Sequence, residues 1–212
     1  MTVVGILLAA GTSHRFGSDK RRAKLPDGRT LLEASLTNLG AVVDTLVLAV
    51  RQQEPWIEPL LQPIPNIHRV EVPDTKGLGD TLAAAVRYTE ATIKADAALI
   101  ALADMPWVKP QTLEKIIGKM KTSAVVVPRY HDRWGHPVGF QARYFQALMG
   151  CQGDTGARWL LTREIEHVFE LDVDDPGIHG DIDIPSAIKK TASECVRYPL
   201  RGTCGLHQLW RH

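Results

Sequence analysis

The stretch Leu7–Pro26, "LLAAGTSHRFGSDKRRAKLP", joins an apolar run to a loop that is rich in cations. The run Val3–Leu8 contains only apolar residues and glycine, as expected of a strand that is buried on both faces of a parallel sheet. Gly11 allows the following backbone to curl so that successive N–H groups point at one ligand. Five basic residues then fall within ten positions: Arg15, Lys20, Arg21, Arg22 and Lys24. This strand end therefore predicts a binding site for a polyanion such as a phosphate chain.

Composition limits the class of protein. The 212 residues are 44% hydrophobic and 23% charged, which is typical of one globular domain. The 25 basic and 24 acidic residues nearly cancel, so we expect neither a nucleic acid nor a membrane surface as partner. No apolar stretch approaches the roughly 20 residues of a membrane helix, and the N-terminus is typical of a strand rather than a signal peptide. We expect a cytoplasmic protein whose cysteines Cys151, Cys195 and Cys204 are reduced.

The order of secondary-structure elements is predicted from apolar runs that alternate with amphipathic stretches of helix length, which favours βαβ units around a mostly parallel sheet. Strands are predicted at Val3–Leu8, Val43–Val50, His68–Val72, Ala97–Leu102, Ala124–Val127, His136–Phe140 and Val168–Val173. Helices are predicted at Thr30–Leu39, Gly77–Ile93, Gln111–Lys119, Tyr144–Leu148, Thr155–Glu164 and Pro185–Lys190. We expect one domain over residues 1–190, followed by an irregular tail over residues 191–212.

The ligand site is expected at the carboxyl ends of the strands, where loops converge in an open parallel sheet. The loop Ala9–Asp19 has this position after the first strand. It contains neither the glycine pattern of dinucleotide-binding proteins nor that of P-loop NTPases, so neither class is supported.

Acidic residues follow two later segments. Asp104, in "LADMP", comes directly after the apolar run Ala97–Leu102, and beside phosphates its carboxylate would hold Mg²⁺. The alternative is that it caps the helix that begins near Pro110. Asp181 and Asp183, in "HGDIDIP", are either helix caps or partners of Asp104 in holding one Mg²⁺ that bridges phosphates.

Six stretches of the chain together carry a family resemblance. They are, in order, "LLAAGTSHRFGSDK", "DTKGLGDTLAAAV", "ALADMP", "GHPVGF", "GDTGAR" and "DIDIP". Over about Val3 to Ile188 the chain resembles the MobA-like NTP transferase family, most closely its molybdenum cofactor cytidylyltransferase branch. The resemblance implies an α/β fold, a Rossmann-like three-layer sandwich with a mostly parallel twisted sheet, of the nucleotide-diphospho-sugar transferase type. It also implies transfer of a nucleoside monophosphate from a triphosphate to an acceptor phosphate, with release of pyrophosphate.

The resemblance assigns roles to single residues. The nucleotide is held by Leu8, Ala9, Ala10, Gly11, Arg15, Lys20, Gly77, Leu78, Gly79, Asp80 and Thr81. The catalytic residues are Lys20, Arg15 and Asp104, and the cofactor Mg²⁺ is bound by Asp104 and Asp183. Alignment and charge stabilisation are what phosphoryl-type transfer needs, and lysine and arginine both supply positive charge for it.

The acceptor side is assigned, by the same resemblance, to His136, Asp154 and Arg158. Each residue also has a structural alternative: His136 bonds its own loop, and Asp154 caps a helix with Arg158 as its surface partner. Three tryptophans, Trp107, Trp134 and Trp159, are expected to pack in the core or at its rim rather than to stack on a ligand.

Three residues depart from the family pattern. Similar sequences have apolar residues where this chain has Arg21 and Arg22, which would either contact pyrophosphate or an anionic acceptor, or be exposed. Asp80 stands where serine is common, and an ionised carboxylate favours a base with an exocyclic amine, cytosine or guanine. Alanine in "LAAG" favours CTP, whereas "GSDK" is also seen in the guanylyltransferase branch.

The leading hypothesis is a Mg²⁺-dependent nucleotidyltransferase in which the terminal phosphate of molybdopterin attacks the α-phosphate of CTP, with a molybdoenzyme as a further partner. Enzyme alternatives are the use of GTP, or of a sugar phosphate or alcohol phosphate as acceptor. A non-catalytic nucleotide-binding factor for molybdoenzyme maturation is the alternative from another class. An α/β domain without a ligand would leave the cation cluster at the strand end unexplained.

Overall fold

The structure is a computed structural model that describes residues 1–13, 16–73, 77–184 and 187–188. Within these residues eight strands form one sheet. They are β1 Val3–Leu8, β2 Thr45–Arg51, β3 Ile67–Val72, β4 Ala97–Leu102, β5 Val125–Tyr130, β6 Arg133–Trp134, β7 Val138–Gln141 and β8 Val168–Asp172. The strand order is β3-β2-β1-β4-β7-β5-β6, and β8 pairs with β5.

The sheet is mostly parallel, as predicted. β1 runs parallel to both β2 and β4, and β2 runs parallel to β3. β7 is inserted antiparallel between β4 and β5, because β5 turns back through β6 at His131 and Asp132, with no crossover helix between them. The chain then returns to the parallel direction in β8.

The helices flank this sheet. They are α1 Leu31–Gly40, α2 Glu58–Leu61, α3 Leu78–Thr92, α4 Pro110–Met120, α5 Phe145–Leu148 and α6 Arg158–Arg163. α1 starts at a capping box, in which the Glu33 N–H donates to Thr30 Oγ1 over 3.2 Å and the Thr30 N–H donates to Glu33 Oε2 over 2.6 Å. All six residues of β1 are buried, and because strand side chains alternate between faces, helices must cover both faces there.

The predicted boundaries differ from the structure at a few places. The helix predicted at Thr155–Glu164 is shorter, because Gly156 has a left-handed backbone with φ of +52° and α6 starts only at Arg158. The strand predicted at Ala124–Val127 extends to Tyr130, and the short strand β6 was not predicted. Most of the helix predicted at Pro185–Lys190, and the tail at 191–212, lie outside the described residues.

The register of the central strands fixes where ligands can bind. Leu8 of β1 lies opposite Leu102 of β4, so both strands end at the same edge of the sheet. The loop Ala9–Asp19 follows β1 at this edge, and Asp104 follows β4. Within the described part of the chain, no helix combines the length and apolarity that a membrane crossing requires.

Candidate functional site

Three charged side chains from distant parts of the chain meet at this edge of the sheet. The Lys20 Nζ donates to Asp104 Oδ2 over 2.7 Å and to Asp183 Oδ1 over 3.1 Å. Both carboxylates therefore contact one ammonium, and the binding of Mg²⁺ by Asp104 and Asp183 stays a prediction. The cation that they share is the lysine ammonium.

The electrostatics of this cluster favour the charged lysine. Each of the three side chains is less than a fifth exposed. Burial by itself would lower the pKa of Lys20, but the charges and hydrogen bonds of Asp104 and Asp183 outweigh it and raise that pKa above its ordinary value. Lys20 therefore stays protonated and brings a fixed positive charge to the edge of the sheet.

The cluster also has the donor chemistry of a magnesium site. Asp104 Oδ1 is buried, and no hydrogen bond reaches it from the residues that the structure describes. A buried carboxylate oxygen without a partner is costly unless a ligand or ion completes its bonding. The described residues contain no group of three or more His, Cys, Asp or Glu side chains placed to hold a metal. A pair of carboxylates still fits Mg²⁺, which is commonly held by one or two carboxylates together with substrate phosphates.

The segment that carries Asp183 is held in place by a residue that the sequence reasoning missed. Asp175 is fully buried and accepts hydrogen bonds from the Lys109 N–H at 2.9 Å, the Thr112 Oγ1 at 2.7 Å and the Gly177 N–H at 2.9 Å. The first two donors belong to the start of α4, where a negative charge is also favoured by the helix dipole. The Ile182 N–H then donates to the Asp104 carbonyl over 3.0 Å. Asp175 thereby fixes the position of the second carboxylate against the first.

The lysine is positioned by Arg21, its neighbour in the sequence. Lys20 lies in a short 3-10 turn, Lys20–Arg22, that Asp19 caps. Arg21 is only 3% exposed and donates to Asp19, to Glu54 and, from Nη1 over 2.6 Å, to the Ala9 carbonyl. Its guanidinium therefore fastens the turn to the end of β1.

This network gives Arg21 a structural role that was not among the predicted alternatives, while Arg22 is exposed as one of them had it. Arg21 is not exposed, and its guanidinium is engaged with Asp19, Glu54 and the Ala9 carbonyl rather than presented at the surface. Arg22 is exposed and packs over the Trp56 ring at 5.2 Å. Glu54 could not be identified from the sequence, because an acid before Pro55 that is buried in the fold looks like any surface residue there.

The acids of the network are held ionised. Burial would raise the pKa of Glu54, but hydrogen bonds and charge from Arg21 and Arg51 outweigh it, so this pKa lies below its ordinary value. The pKa of Asp19 is lowered in the same way by the same two arginines, against the effect of burial. Both acids therefore stabilise the fold while they are ionised.

The predicted base-recognition turn contacts the predicted acceptor loop. A Cβ added to Gly79 would lie 2.7 Å from the Gln152 carbonyl oxygen, and one added to Gly77 would lie 2.3 Å from Asp154 Oδ1. Asp80 Oδ2 accepts a hydrogen bond from the Gly153 N–H over 3.2 Å. The two glycines are therefore needed for close packing of this loop on the start of α3, and one oxygen of Asp80 holds the loop there.

The other predicted nucleotide-binding residues surround this edge. Leu8, Ala9 and Ala10 are buried, and Gly11 is exposed. The Ala9 N–H already donates to the Ala49 carbonyl over 2.9 Å. Leu78 starts α3, and Thr81 is buried with its hydroxyl bonded to the Gly77 carbonyl. Arg15 lies outside the described residues.

The predicted acceptor residues lie in three different parts of the fold. His136 lies near Asp104: burial lowers the pKa of His136 to about 4, while the negative charge of Asp104 opposes that change. His136 is therefore neutral near pH 7. Asp154 is exposed in the short 3-10 turn Gly153–Thr155, and Arg158 is the first residue of α6. Of the three residues, only His136 shares the environment of the carboxylate cluster.

Comparison with known proteins places this arrangement in a family. A family model described as the MobA-like NTP transferase domain matches residues 5–168. The chain belongs to this family. The family predicted from six sequence stretches is thereby confirmed, and the protein is a nucleotidyltransferase of the MobA-like type.

Similar proteins extend over much of the chain. The purine catabolism protein PucB of Bacillus subtilis strain 168 is 28% identical over 193 residues, which cover 86% of this chain and 92% of PucB. A probable molybdenum cofactor guanylyltransferase of Natronomonas pharaonis is 31% identical over 136 residues, 63% of this chain and 64% of that protein. Both alignments are consistent with membership of the MobA-like family.

The most informative solved structures are those of Rv0371c from Mycobacterium tuberculosis H37Rv. One is 28% identical with a TM-score of 0.71, and covers 88% of this chain and 95% of that one. A structure of Rv0371c in complex with manganese is 29% identical with a TM-score of 0.64, over 82% of this chain and 88% of that one. This likeness confirms the predicted Rossmann-like fold of the nucleotide-diphospho-sugar transferase type.

Replacing Arg21 by methionine tests the network that joins Arg21 to Asp19, Glu54 and the Ala9 carbonyl. We expect Arg21→Met to lower the free energy of unfolding by about 3–5 kcal/mol, because it leaves buried carboxylates without their partner. Urea unfolding at pH 7 measures this, with Arg22→Met as the exposed control. The folded-state pKa values of Glu54 and Asp19 are lowered, so their stabilisation is present above the carboxyl range and is lost as pH falls through those values. The difference in free energy of unfolding between Arg21→Met and the wild type should therefore become smaller in acid. A larger difference in acid would contradict this role of Arg21.

Replacing Asp175 by alanine tests whether Asp175 holds the segment before Asp183 against the start of α4. We expect Asp175→Ala to lower the free energy of unfolding by about 2–4 kcal/mol, because buried donors at the start of α4 lose their acceptor. The exposed neighbour Asp174 provides the control, and Asp174→Ala should change stability by no more than about 0.5 kcal/mol. Thermal unfolding of both variants measures the difference. Equal stability of the two would show that Asp175 does not hold this segment.

Proposed function

We propose that the protein is a Mg²⁺-dependent cytidylyltransferase that moves CMP from CTP to the terminal phosphate of molybdopterin and releases pyrophosphate. Membership of the MobA-like family establishes the broader activity, nucleotidyl transfer from an NTP to a phosphate acceptor. The proposal adds the metal, the base, the acceptor, a molybdoenzyme as the receiver of the product, and a cytoplasmic location. The observation that carries it is the meeting of Lys20, Asp104 and Asp183 at the edge of the sheet.

The metal is supported by the donor set of this cluster. Asp104 and Asp183 would hold Mg²⁺, and the buried Oδ1 of Asp104 has acceptor capacity that no described residue uses. The relative Rv0371c has been solved with manganese, an ion with a similar preference for oxygen ligands. When bound, Mg²⁺ would neutralise charge on the phosphates and on the leaving pyrophosphate.

The chemical step needs little covalent help from the protein. A phosphate oxygen of the acceptor forms a bond to the α-phosphorus of CTP, and the bond from that phosphorus to the oxygen that bridges to the β-phosphate breaks. The electron pair of the broken bond leaves with pyrophosphate. Lys20 contributes positive charge beside the phosphates, held in place by the Arg21 network. The neutral His136 next to Asp104 can donate or accept a hydrogen bond without adding charge.

Two features of the chain bear on the choice of base. "LAAG" at Leu8–Gly11 favours CTP, and the Asp80 carboxylate, one oxygen of which accepts from the Gly153 N–H, would accept from the exocyclic amine of cytosine through the other. GMP transfer is the second candidate, because relatives of this chain are named as probable molybdenum cofactor guanylyltransferases. Guanine also has an exocyclic amine, so the carboxylate alone does not separate the two bases.

A direct assay decides between these functions. The purified protein is incubated with Mg²⁺, each of the four NTPs in turn, and either molybdopterin or a sugar phosphate, and pyrophosphate release is followed. We expect CTP with molybdopterin to give a kcat/KM at least about tenfold above any other pair. Faster release from GTP would establish the second candidate. Nucleotide binding without pyrophosphate from any pair would instead support a non-catalytic maturation factor.

Replacement of the first carboxylate tests the role of the cluster. We expect Asp104→Asn to lower kcat by about 10²–10³-fold, because an amide oxygen carries no charge to hold the metal beside the phosphates. The same change at the exposed turn residue, Asp132→Asn, is the control and should leave kcat unchanged. Circular dichroism establishes that both variants are folded. Full activity of Asp104→Asn would remove this residue from the mechanism.

A further inference from the structure

The carboxylate pair that would bind the metal, Asp104 and Asp183, is in contact with the Lys20 ammonium. The Lys20 ammonium lies 2.7 Å from one carboxylate and 3.1 Å from the other. All three side chains are mostly buried, so little water screens their charges. A metal ion that enters this pair must therefore compete with a covalently attached cation.

We propose that Lys20 excludes the free metal ion, and that the site accepts its metal only as a complex with the nucleoside triphosphate. This inference rests on the proposed function, from which it takes the metal and the triphosphate. It names the form of the substrate, a metal–NTP chelate, and gives Lys20 a second role that precedes the chemical step.

The balance of charge at this cluster opposes the entry of a free metal ion. Among these three side chains, the two carboxylates and one ammonium sum to one net negative charge, and a divalent ion would have to enter beside the ammonium. Like charges a few ångströms apart repel strongly where water is scarce. If the ammonium left the carboxylates with no new partner, it would be a mostly buried charge without compensation, which is costly. A triphosphate removes this obstacle, since it offers the ammonium new oxygens while its metal takes the carboxylates.

The local structure permits this exchange without movement of the backbone. The turn that carries Lys20 is closed by the Ala23 N–H, which donates to the Lys20 carbonyl over 3.0 Å, and Arg21 fastens it to Ala9. The ammonium sits on a four-carbon stem with several rotatable bonds, so the exchange requires movement of the lysine side chain only. The fixed turn therefore holds an ammonium that can reach either the carboxylates or the phosphates.

The test measures binding of Mn²⁺ to the full chain, with electron paramagnetic resonance of the free ion as readout. Without nucleotide we expect the wild type to bind Mn²⁺ weakly, and Lys20→Met to bind it about tenfold more tightly or better. Lys20→Arg keeps the charge and should bind as weakly as the wild type. Lys24→Met removes a nearby exposed charge and should have no effect beyond about twofold. Asp104→Asn added to Lys20→Met should abolish the gain.

The results separate this inference from the proposed function. If Lys20→Met is folded by circular dichroism and binds Mn²⁺ no more tightly than the wild type, the inference is overturned, whatever the enzyme assay shows. If that variant does not fold, the test uses the wild type. The inference is overturned if the wild type binds Mn²⁺ without nucleotide as tightly as it does with CTP, and if Asp104→Asn abolishes this nucleotide-free binding. A gain in Lys20→Met without pyrophosphate release from any substrate pair would leave the inference standing and remove the proposed function.

Discussion

The structure depends on one shared charge, the Lys20 ammonium between the carboxylates of Asp104 and Asp183. These residues lie at the first loop, after the fourth strand and near the end of the described chain, so their meeting requires the whole parallel sheet to form correctly. A mostly buried cation with two anionic partners is stable only while all three are present. The same three groups, rearranged around a metal and a triphosphate, constitute the proposed active site.

Two buried anchors outside the cluster keep this geometry. Arg21 ties the lysine turn to the end of β1 and to Glu54, and Asp175 ties the segment of Asp183 to the start of α4. Neither Arg21 nor Asp175 is placed to perform chemistry. Arg21 acts by holding the turn that carries Lys20, and Asp175 acts by holding the segment that leads to Asp183. A third contact, from Asp80 to the Gly153 N–H, joins the start of α3 to the loop on the acceptor side. The site is thus a set of loops that buried polar groups fix to a rigid sheet.

Most of the fold was predictable, because the apolar run at Val3–Leu8 and the alternation of strands and helices are properties of local sequence. The convergence of Lys20 and Asp104 was also predictable, since parallel strands present their carboxyl ends at the same edge. The short strand β6 was not predictable, because two-residue strands carry no periodic signal. The antiparallel direction of β7, which follows this turn, was therefore not predictable either. The late start of α6, after Gly156, depends on a backbone angle that the sequence only permits.

The sequence by itself determined the family, the order of the elements and the identity of the residues with charge to offer, because these follow from local patterns and motifs. Only the tertiary structure decided what each charge does. Arg21 and Arg22 are adjacent and chemically identical and both lie over the Trp56 ring, yet one is buried against Glu54 and the other is exposed. The physical reason is that the energy of a charge depends on which partners and how much water surround it, and distant segments of the chain supply both.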